Sequence, residues 1–216
     1  MLDLSYEQTL WNQGVDYIIG IDEVGRGPLA GPVIVGAVVF DKTHKPISGI
    51  NDSKKIPKKS LKNISDTIKS ECRVWSVGCG SVELINEKGI IFALQHAISE
   101  AITELQITNN KSRLVIDGLP YKDIAQFSNQ CRDLHRHQYV IYQPKADGTI
   151  YSVAAASIIA KTYRDELMAN LAQQHPEYGW EKNAGYGTKT HREAIQKYGL
   201  TKEHRELFCR KYRVKL

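Results

Sequence analysis

The order of predicted elements makes this chain an α/β protein, a mixed sheet of about five strands flanked by helices. Three observations predict it. Short apolar runs near residues 16–22, 32–40, 73–80, 111–117 and 139–142 have the length and composition of strands. Longer segments, chiefly 87–105 and 152–174, repeat apolar residues every three or four positions, the helical period. The two kinds alternate along most of the chain, and the part after residue 174 reads as helical and basic. With 216 residues and 42% hydrophobic content, the chain can bury a substantial core.

Residues 1–14 are polar with scattered Leu and Trp11, and predict a short amphipathic helix or arm. The first strand ends in Asp22-Glu23 and breaks into a turn with three glycines, two prolines and an arginine, residues 25–32. The second strand follows so closely that the two should pair antiparallel. Asn51-Asp52-Ser53-Lys54-Lys55-Ile56-Pro57-Lys58-Lys59 is a lysine-rich loop leading into a helix over 58–71. After the strand at 73–80, Ser81 with Glu83 can open a short turn. A helix over 87–105 then places Ile91, Leu94, Ala97, Ile98, Ala101, Ile102 and Leu105 in the core. The strand within 111–117 again ends in a carboxylate followed by glycine, Asp117-Gly118.

A weaker helix is predicted over 122–131. The strand at 139–142 leads to a third acid, Asp147, just ahead of the helix 152–174. In that helix Val153, Ala156, Ala160, Tyr163, Leu167 and Leu171 mark an apolar stripe, and small residues at 154–157 permit close packing on a sheet. Residues 175–189 read as a structured loop. Thr190-His191-Arg192-Glu193 has capping-box form and predicts a helix start that Gly199 stops, and Thr201 predicts a last helix to about 210. The chain is expected to divide into an α/β part, 1–174, and a basic helical extension, 175–216, packed on it as one unit.

No stretch approaches the ~18 apolar residues that a membrane span needs. The acidic start is unlike a basic signal peptide, so the expected location is the cytoplasm. The four cysteines are far apart, which favours reduced thiols over zinc or disulfides. His135 and His137 flank Arg136 and read as surface residues. Net charge is +5, yet from Lys182 to Lys215 there are ten Lys/Arg against three Asp/Glu, so the remainder is close to neutral. A basic end beside an acidic site suggests a polyanion gripped by one part and processed by another.

Asp22, Glu23, Asp117 and Asp147 each fall at or just past a predicted strand end, and the ends of one sheet can converge. Four carboxylates together repel one another unless cations neutralise them. Oxygen donors alone suit Mg²⁺ or Mn²⁺ rather than zinc. Two such ions serve phosphodiester hydrolysis. Neighbours in a regular strand point to opposite faces. For Asp22 and Glu23 to share a site, the backbone over 23–27 is therefore expected to be irregular.

The run Gly20-Ile21-Asp22-Glu23-Val24-Gly25-Arg26-Gly27-Pro28-Leu29-Ala30-Gly31-Pro32 resembles the signature of bacterial ribonuclease HII, a type 2 ribonuclease H. Asn51 to Lys55, Ile116-Asp117-Gly118, Lys145-Ala146-Asp147, residues 152–161, Asn183-Ala184-Gly185-Tyr186-Gly187-Thr188, His191 and His204-Arg205 resemble its later blocks in order. The resemblance implies an RNase H-like fold with a helical C-terminal extension. It implies cleavage of the RNA strand of RNA–DNA hybrids, and incision 5′ to ribonucleotides embedded in duplex DNA, leaving 3′-OH and 5′-phosphate ends. It assigns metal binding and catalysis to Asp22, Glu23, Asp117 and Asp147, with Mn²⁺ or Mg²⁺ as cofactor and two ions during turnover. It assigns sensing of the 2′-OH and the RNA–DNA junction to Gly25, Arg26, Gly27 and Tyr186. Lys54, Lys55 and Lys189, with the basic last helices, are expected to grip flanking phosphates.

Two competing readings have weight. A ribonuclease HIII-like hybrid nuclease would handle single ribonucleotides poorly, and Arg26 within Gly-Arg-Gly argues against it. A non-catalytic nucleic-acid-binding module would not need four carboxylates that repel phosphate. The sequence carries no marker of a sliding-clamp or polymerase partner, and nothing in it calls for more than a monomer.

Overall fold

Five strands form one mixed sheet in the computed structural model, which describes residues 2–107, 111–118, 120 and 140–212. They are β1 (Tyr17–Val24), β2 (Val33–Asp41), β3 (Val74–Gly80), β4 (Ser112–Asp117) and β5 (Val140–Gln143), in the order β3-β2-β1-β4-β5. β1 and β2 pair antiparallel, as their short connection favours, β3 pairs antiparallel to β2, and β4 and β5 add in parallel on the other side of β1. The helices among the described residues are α1 (Ser5–Asn12), α2 (Lys58–Glu71), α3 (Val82–Lys88), α4 (Ile90–Glu104), α5 (Tyr151–Gln174), α6 (Trp180–Asn183), α7 (Lys189–Tyr198) and α8 (Glu206–Cys209). The long α5 is polar enough that no helix among the described residues is long and apolar enough to cross a membrane.

The alternation along β1 and β2 decides what each face meets. Ile18, Val38 and Phe40 face α5, α1 and α2, while Ile19, Ile21, Val35 and Val39 face α4. Burying one such side chain contributes about 1.5–3 kcal/mol. Two glycines let α5 lie unusually close to the sheet. A Cβ on Gly20 would fall 2.1 Å from the Ser152 carbonyl oxygen, and one on Gly36 would fall 2.3 Å from that of Ala156. The small residues expected to permit close packing at 154–157 are all buried. α1 is tied to the same contact, because the buried carboxylate of Glu7 accepts a 2.8 Å hydrogen bond from the Ser152 amide in the first turn of α5. A carboxylate there complements the positive end of the helix.

A third apolar cluster lies away from the sheet. Leu29 and Ala30 from the glycine turn, Met168 and Ala172 from α5, and Tyr178, Trp180, Ala194, Ile195 and Cys209 from the C-terminal region close it. The C-terminal elements therefore pack against the turn that follows β1 and the second half of α5.

Several boundaries differ from expectation, each for a local reason. The helix expected over 87–105 is two helices, broken at Gly89 with φ 86°. Ser81 caps the first of them by accepting from the Leu84 amide. Ile91 is exposed rather than core, whereas the other expected core positions of α4 are buried. In α5 the buried stripe past Ala160 runs through Arg164, Met168 and Ala172, and Tyr163 is exposed. Thr188, not Thr190, caps α7 by accepting from the His191 amide, while Glu193 turns to Lys189. The last helix shortens to Glu206–Cys209 because the residues before it run beside the glycine turn, with Ala30 and His204 bridged. The helix expected over 122–131, and Cys131, His135 and His137, lie outside the described residues.

Gly20→Ala is expected to destabilise the protein by about 3 kcal/mol in urea denaturation, because backbone rather than a yielding side chain blocks the methyl group. Gly27→Ala, with open space around its Cα, should stay within about 0.5 kcal/mol of the parent.

Candidate active site

The parallel ladder between β1 and β4 ends at Ile21 and Ile116. The antiparallel ladder with β2 continues to Val24, opposite Ile34. Asp22 and Glu23 thus stand on a regular strand, and the irregular backbone expected from Glu23 begins only at Gly25, with φ 95°. β2 holds β1 straight for these extra residues. A regular strand points the two acids to opposite faces, which counts against one shared ligand sphere, although both carboxyls feel the charge of Asp117. Beyond Ile21 the β4 edge of β1 is open, and Asp117, the last residue of β4, comes to it.

The acids form an electrostatic chain around this edge. The Asp22 carboxyl is influenced by Glu23 and Asp117, Glu23 by Asp117, and Asp117 by Asp147. Burial, reinforced by the charge of Glu23, pushes Asp22 well above the usual carboxylate range. Burial also raises Glu23, against the opposing pull of Arg26, and raises Asp117, against the Ala146 amide.

Local contacts fix each side chain. Asp22 Oδ1 accepts from the Glu23 amide at 2.8 Å, and its carboxyl also bonds Ser157 on α5. Ser157 is in turn 2.9 Å from Ser53 of the lysine loop. Arg26 Nη1 donates to Glu23 Oε1 at 3.2 Å. Asp117 Oδ1 accepts from the Ala146 amide at 2.7 Å, which holds the 3₁₀ turn Ala146–Gly148 carrying Asp147. Lys54 Nζ donates to Asp147 Oδ2 at 3.3 Å.

Among the described residues no three such donors are closed into a ready ligand sphere. The donor set nevertheless fits a hard divalent cation. All four donors are carboxylates, burial and mutual repulsion raise the pKa of three of them, and a bound cation would oppose both effects.

The glycine turn and Tyr186 sit beside this edge. Gly25 must be glycine for two reasons, its positive φ and the guanidinium of Arg164, whose Nε would lie 2.3 Å from a Cβ there. Arg26 is exposed apart from its contact with Glu23. Among the described residues the amides of Arg26 and Gly27 have no main-chain partner. Tyr186 is 45% exposed, so its ring is open to solvent. The two loops touch, with the Leu29 amide donating to the Gly185 carbonyl at 2.8 Å.

Buried histidines support Tyr186 from below. Trp180 Nε1 donates to His191 Nε2 at 3.1 Å, which leaves the proton on His191 Nδ1, 3.0 Å from the Tyr186 carbonyl. His204 Nε2 also lies 3.2 Å from His191 Nε2, and the Thr201 amide donates to His204 Nδ1. Burial and the neighbouring His191 push His204 down to about 4, so this wiring stays neutral.

Lys54, Lys55 and Lys189 have exposed side chains and weak partners, Asp147, Asp52 at 3.6 Å and Glu193 at 3.8 Å. Lys189 stands at the first residue of α7, apart from the loop that carries the other two. Two arginines were given no role by the sequence, Arg205 being named only within a block of the resemblance. Arg164 and Arg205 are buried beneath the turn, and Arg205 is therefore no part of the exposed basic surface expected of the C-terminal region. The spacing of Ala156, Ala160, Arg164, Met168 and Ala172, four apart on α5, is the signal that places Arg164 on the inner face.

The family model described as Ribonuclease HII matches residues 19–214. Ribonuclease HII of Ruegeria pomeroyi is 44% identical over 95% of this chain and 82% of its own length. That of Staphylococcus epidermidis is 42% identical over 94% of this chain and 73% of its own length. The crystal structure of ribonuclease H2 from Pyrococcus horikoshii superposes with a TM-score of 0.72 at 25% identity, covering 91% of this chain and 96% of that one.

The raised carboxyls give a sign to the pH dependence of folding. Each contributes most below the ordinary carboxylate range, and that contribution is lost as pH rises through its raised value. In chelator at pH 7, Asp22→Asn is expected to stabilise the protein by about 1 kcal/mol or more in urea denaturation. The difference from the parent should shrink as pH falls toward 4.

Proposed function

The chain belongs to the ribonuclease HII family, and from that premise we propose that it incises duplex DNA 5′ to an embedded ribonucleotide as well as cutting RNA–DNA hybrids. It is a ribonuclease H, and the family membership supports endonucleolytic cleavage of the RNA strand of a hybrid. The observation that carries the finer reading is the meeting of three strand ends bearing Asp22, Glu23, Asp117 and the Asp147 turn beside the Gly25–Gly27 turn.

Magnesium or manganese held by Asp22, Glu23, Asp117 and Asp147, two ions during turnover, would activate a water and stabilise the leaving oxygen, giving 3′-OH and 5′-phosphate ends. The residues of the chain do the rest. Ser157, the Glu23 amide and the Ala146 amide hold Asp22 and Asp117 in place. Arg26 can leave Glu23, a half-exposed pair of small energetic worth, to engage a phosphate in fork geometry. The amides of Arg26 and Gly27, which have no main-chain partner among the described residues, suit the ribose 2′-OH, which both donates and accepts. The open ring of Tyr186 can lie against the next sugar, where a second 2′-OH would crowd it.

Lys54, Lys55 and Lys189 contact flanking phosphates, and their surface partners cost little to exchange. The protein acts as a monomer in the cytoplasm, on ribonucleotides left by DNA replication and repair. The catalytic part is residues 1–174, with 175–216 as its basic extension.

With Mg²⁺ or Mn²⁺, a DNA duplex carrying one ribonucleotide should be cut once, on its 5′ side, as mapped on sequencing gels. No cut there, with hybrids still cleaved, would assign the ribonuclease HIII-like activity instead. Asp117→Asn is expected to lower turnover by at least about 1,000-fold while hybrid affinity in a gel-shift assay stays within about threefold. Retained turnover removes Asp117 from the chemistry. Gly27→Ala should fold normally and lose about 10- to 100-fold in incision at a single ribonucleotide, since its methyl group keeps the sugar from the amide.

A further inference from the structure

Arg164 and Arg205 are fully buried, with 1% and 0% of their surface exposed. Among the described residues neither forms an ion pair. Asp165, the acid next to Arg164 on α5, turns to Lys161 instead. Among the same residues, every hydrogen bond of the two guanidiniums goes to a main-chain carbonyl. Arg164 reaches Pro32 at 2.9 Å, Ala30 at 3.1 Å and Ala184 at 2.9 Å. Arg205 reaches Gly31 at 2.8 Å, Arg26 at 3.0 Å and Gly25 at 2.6 Å.

A buried charge without a counter-charge is expensive, and two of them side by side repel. Apolar side chains of similar volume would fill the same space more cheaply. What they would not do is aim the peptide units. A trans peptide is planar, so the carbonyl of one residue and the amide of the next point in opposite directions. No peptide bond among the described residues is cis. Arg205 draws the carbonyls of Gly25 and Arg26 inward, so the amides of Arg26 and Gly27 point outward, away from the protein. These are the amides that have no main-chain partner among the described residues. Arg164 joins the far end of the same turn, at Ala30 and Pro32, to Ala184 in the loop that carries Tyr186, and its guanidinium lies 6.0 Å from the Tyr186 ring centre.

We propose that Arg205 and Arg164 are positioning residues for ribonucleotide selection. Arg205 presents the Arg26 and Gly27 amides to the ribose, and Arg164 fixes the distance from that turn to Tyr186. The inference rests on the reading of the turn as a ribose sensor, and it assigns the selectivity of that sensor to two side chains that never touch the substrate. It also accounts for the cost of the buried charges. Lysine cannot replace either arginine, since an ammonium has one centre and cannot span three carbonyls in a fixed plane.

The test compares wild type, Arg205→Lys and Arg164→Lys on two duplexes of the same sequence, one with a single ribonucleotide and one with an all-RNA strand. The kcat on the single ribonucleotide is expected to fall about 100-fold, and that on the hybrid less than about fivefold, because many successive ribonucleotides do not demand one register. Equal losses on both duplexes would show a merely structural role and overturn the proposal, as would no loss. A wild type that fails to incise at one ribonucleotide would instead refute the reading of the turn.

If the variants do not fold, hydrogen exchange decides the matter on the intact turn. In the Asp117→Asn protein the Arg26 and Gly27 amides should exchange fast, and slow at least about tenfold on binding the single-ribonucleotide duplex but not all-DNA duplex. Slow exchange in the free protein, or no selective slowing, overturns the proposal.

Discussion

Carboxylates brought together without a cation repel, and the site of this molecule is set by where β4 stops relative to β1. The parallel ladder ends at Ile21 and Ile116, one step before Asp22 and Asp117. β2 continues to hold β1 to Val24, so Asp22 and Glu23 stand on a regular strand where its pairing with β4 has already ended. Because that edge is open, acids on opposite faces of β1 act on the same neighbour, Asp117. Asp117 then places the next acid by accepting from the Ala146 amide in the turn that carries Asp147. The two basic residues on this edge, Arg26 and Lys54, neutralise its two ends and leave Asp22 and Asp117 bonded to amides and a serine. The centre of the chain is therefore where the repulsion remains.

The sheet can hold this arrangement because its backing is unusually close. Gly20 and Gly36 bring α5 against β1 and β2, and the same helix supplies Ser157 to Asp22 and Arg164 to the glycine turn. One helix thus spans from the carboxylate cluster to the glycine turn. The C-terminal region closes the other side. Its residue Arg205 and the neighbouring main chain lace onto Gly25 to Gly31, while Trp180, His191 and His204 form a neutral hydrogen-bonded support under Tyr186.

Much of this was legible in the chain. The strands stood out because each is a short apolar run, and the acids because three of those runs end in a carboxylate or lead straight to one. Gly25, Arg26 and Gly27 were marked by composition. The boundary errors came from tertiary contacts that override local pattern. Gly89 divides one periodic stretch into α3 and α4, and the pairing of Ala30 with His204 stops the last helix from starting at Thr201. The burial of Arg164 and Arg205 was missed because a lone arginine in a helix or a basic tail ordinarily faces water. Their partners are main-chain carbonyls of a distant turn, and such partners leave no trace in residue type. The regular strand through Glu23 was missed for the converse reason, since a gap at one edge of a sheet cannot be read from the strand that borders it.

The central claim is that Asp22, Glu23, Asp117 and Asp147 form a divalent-cation site at this sheet end. Its most direct test is calorimetric titration of Mn²⁺ into the free protein at neutral pH. The account predicts saturable binding of at least one ion per chain, weakened at least about tenfold in both Asp22→Asn and Asp117→Asn, with the Lys54→Ala protein binding no more weakly than the parent. No binding to the parent chain, or binding that survives unchanged in both carboxamide variants, would contradict it.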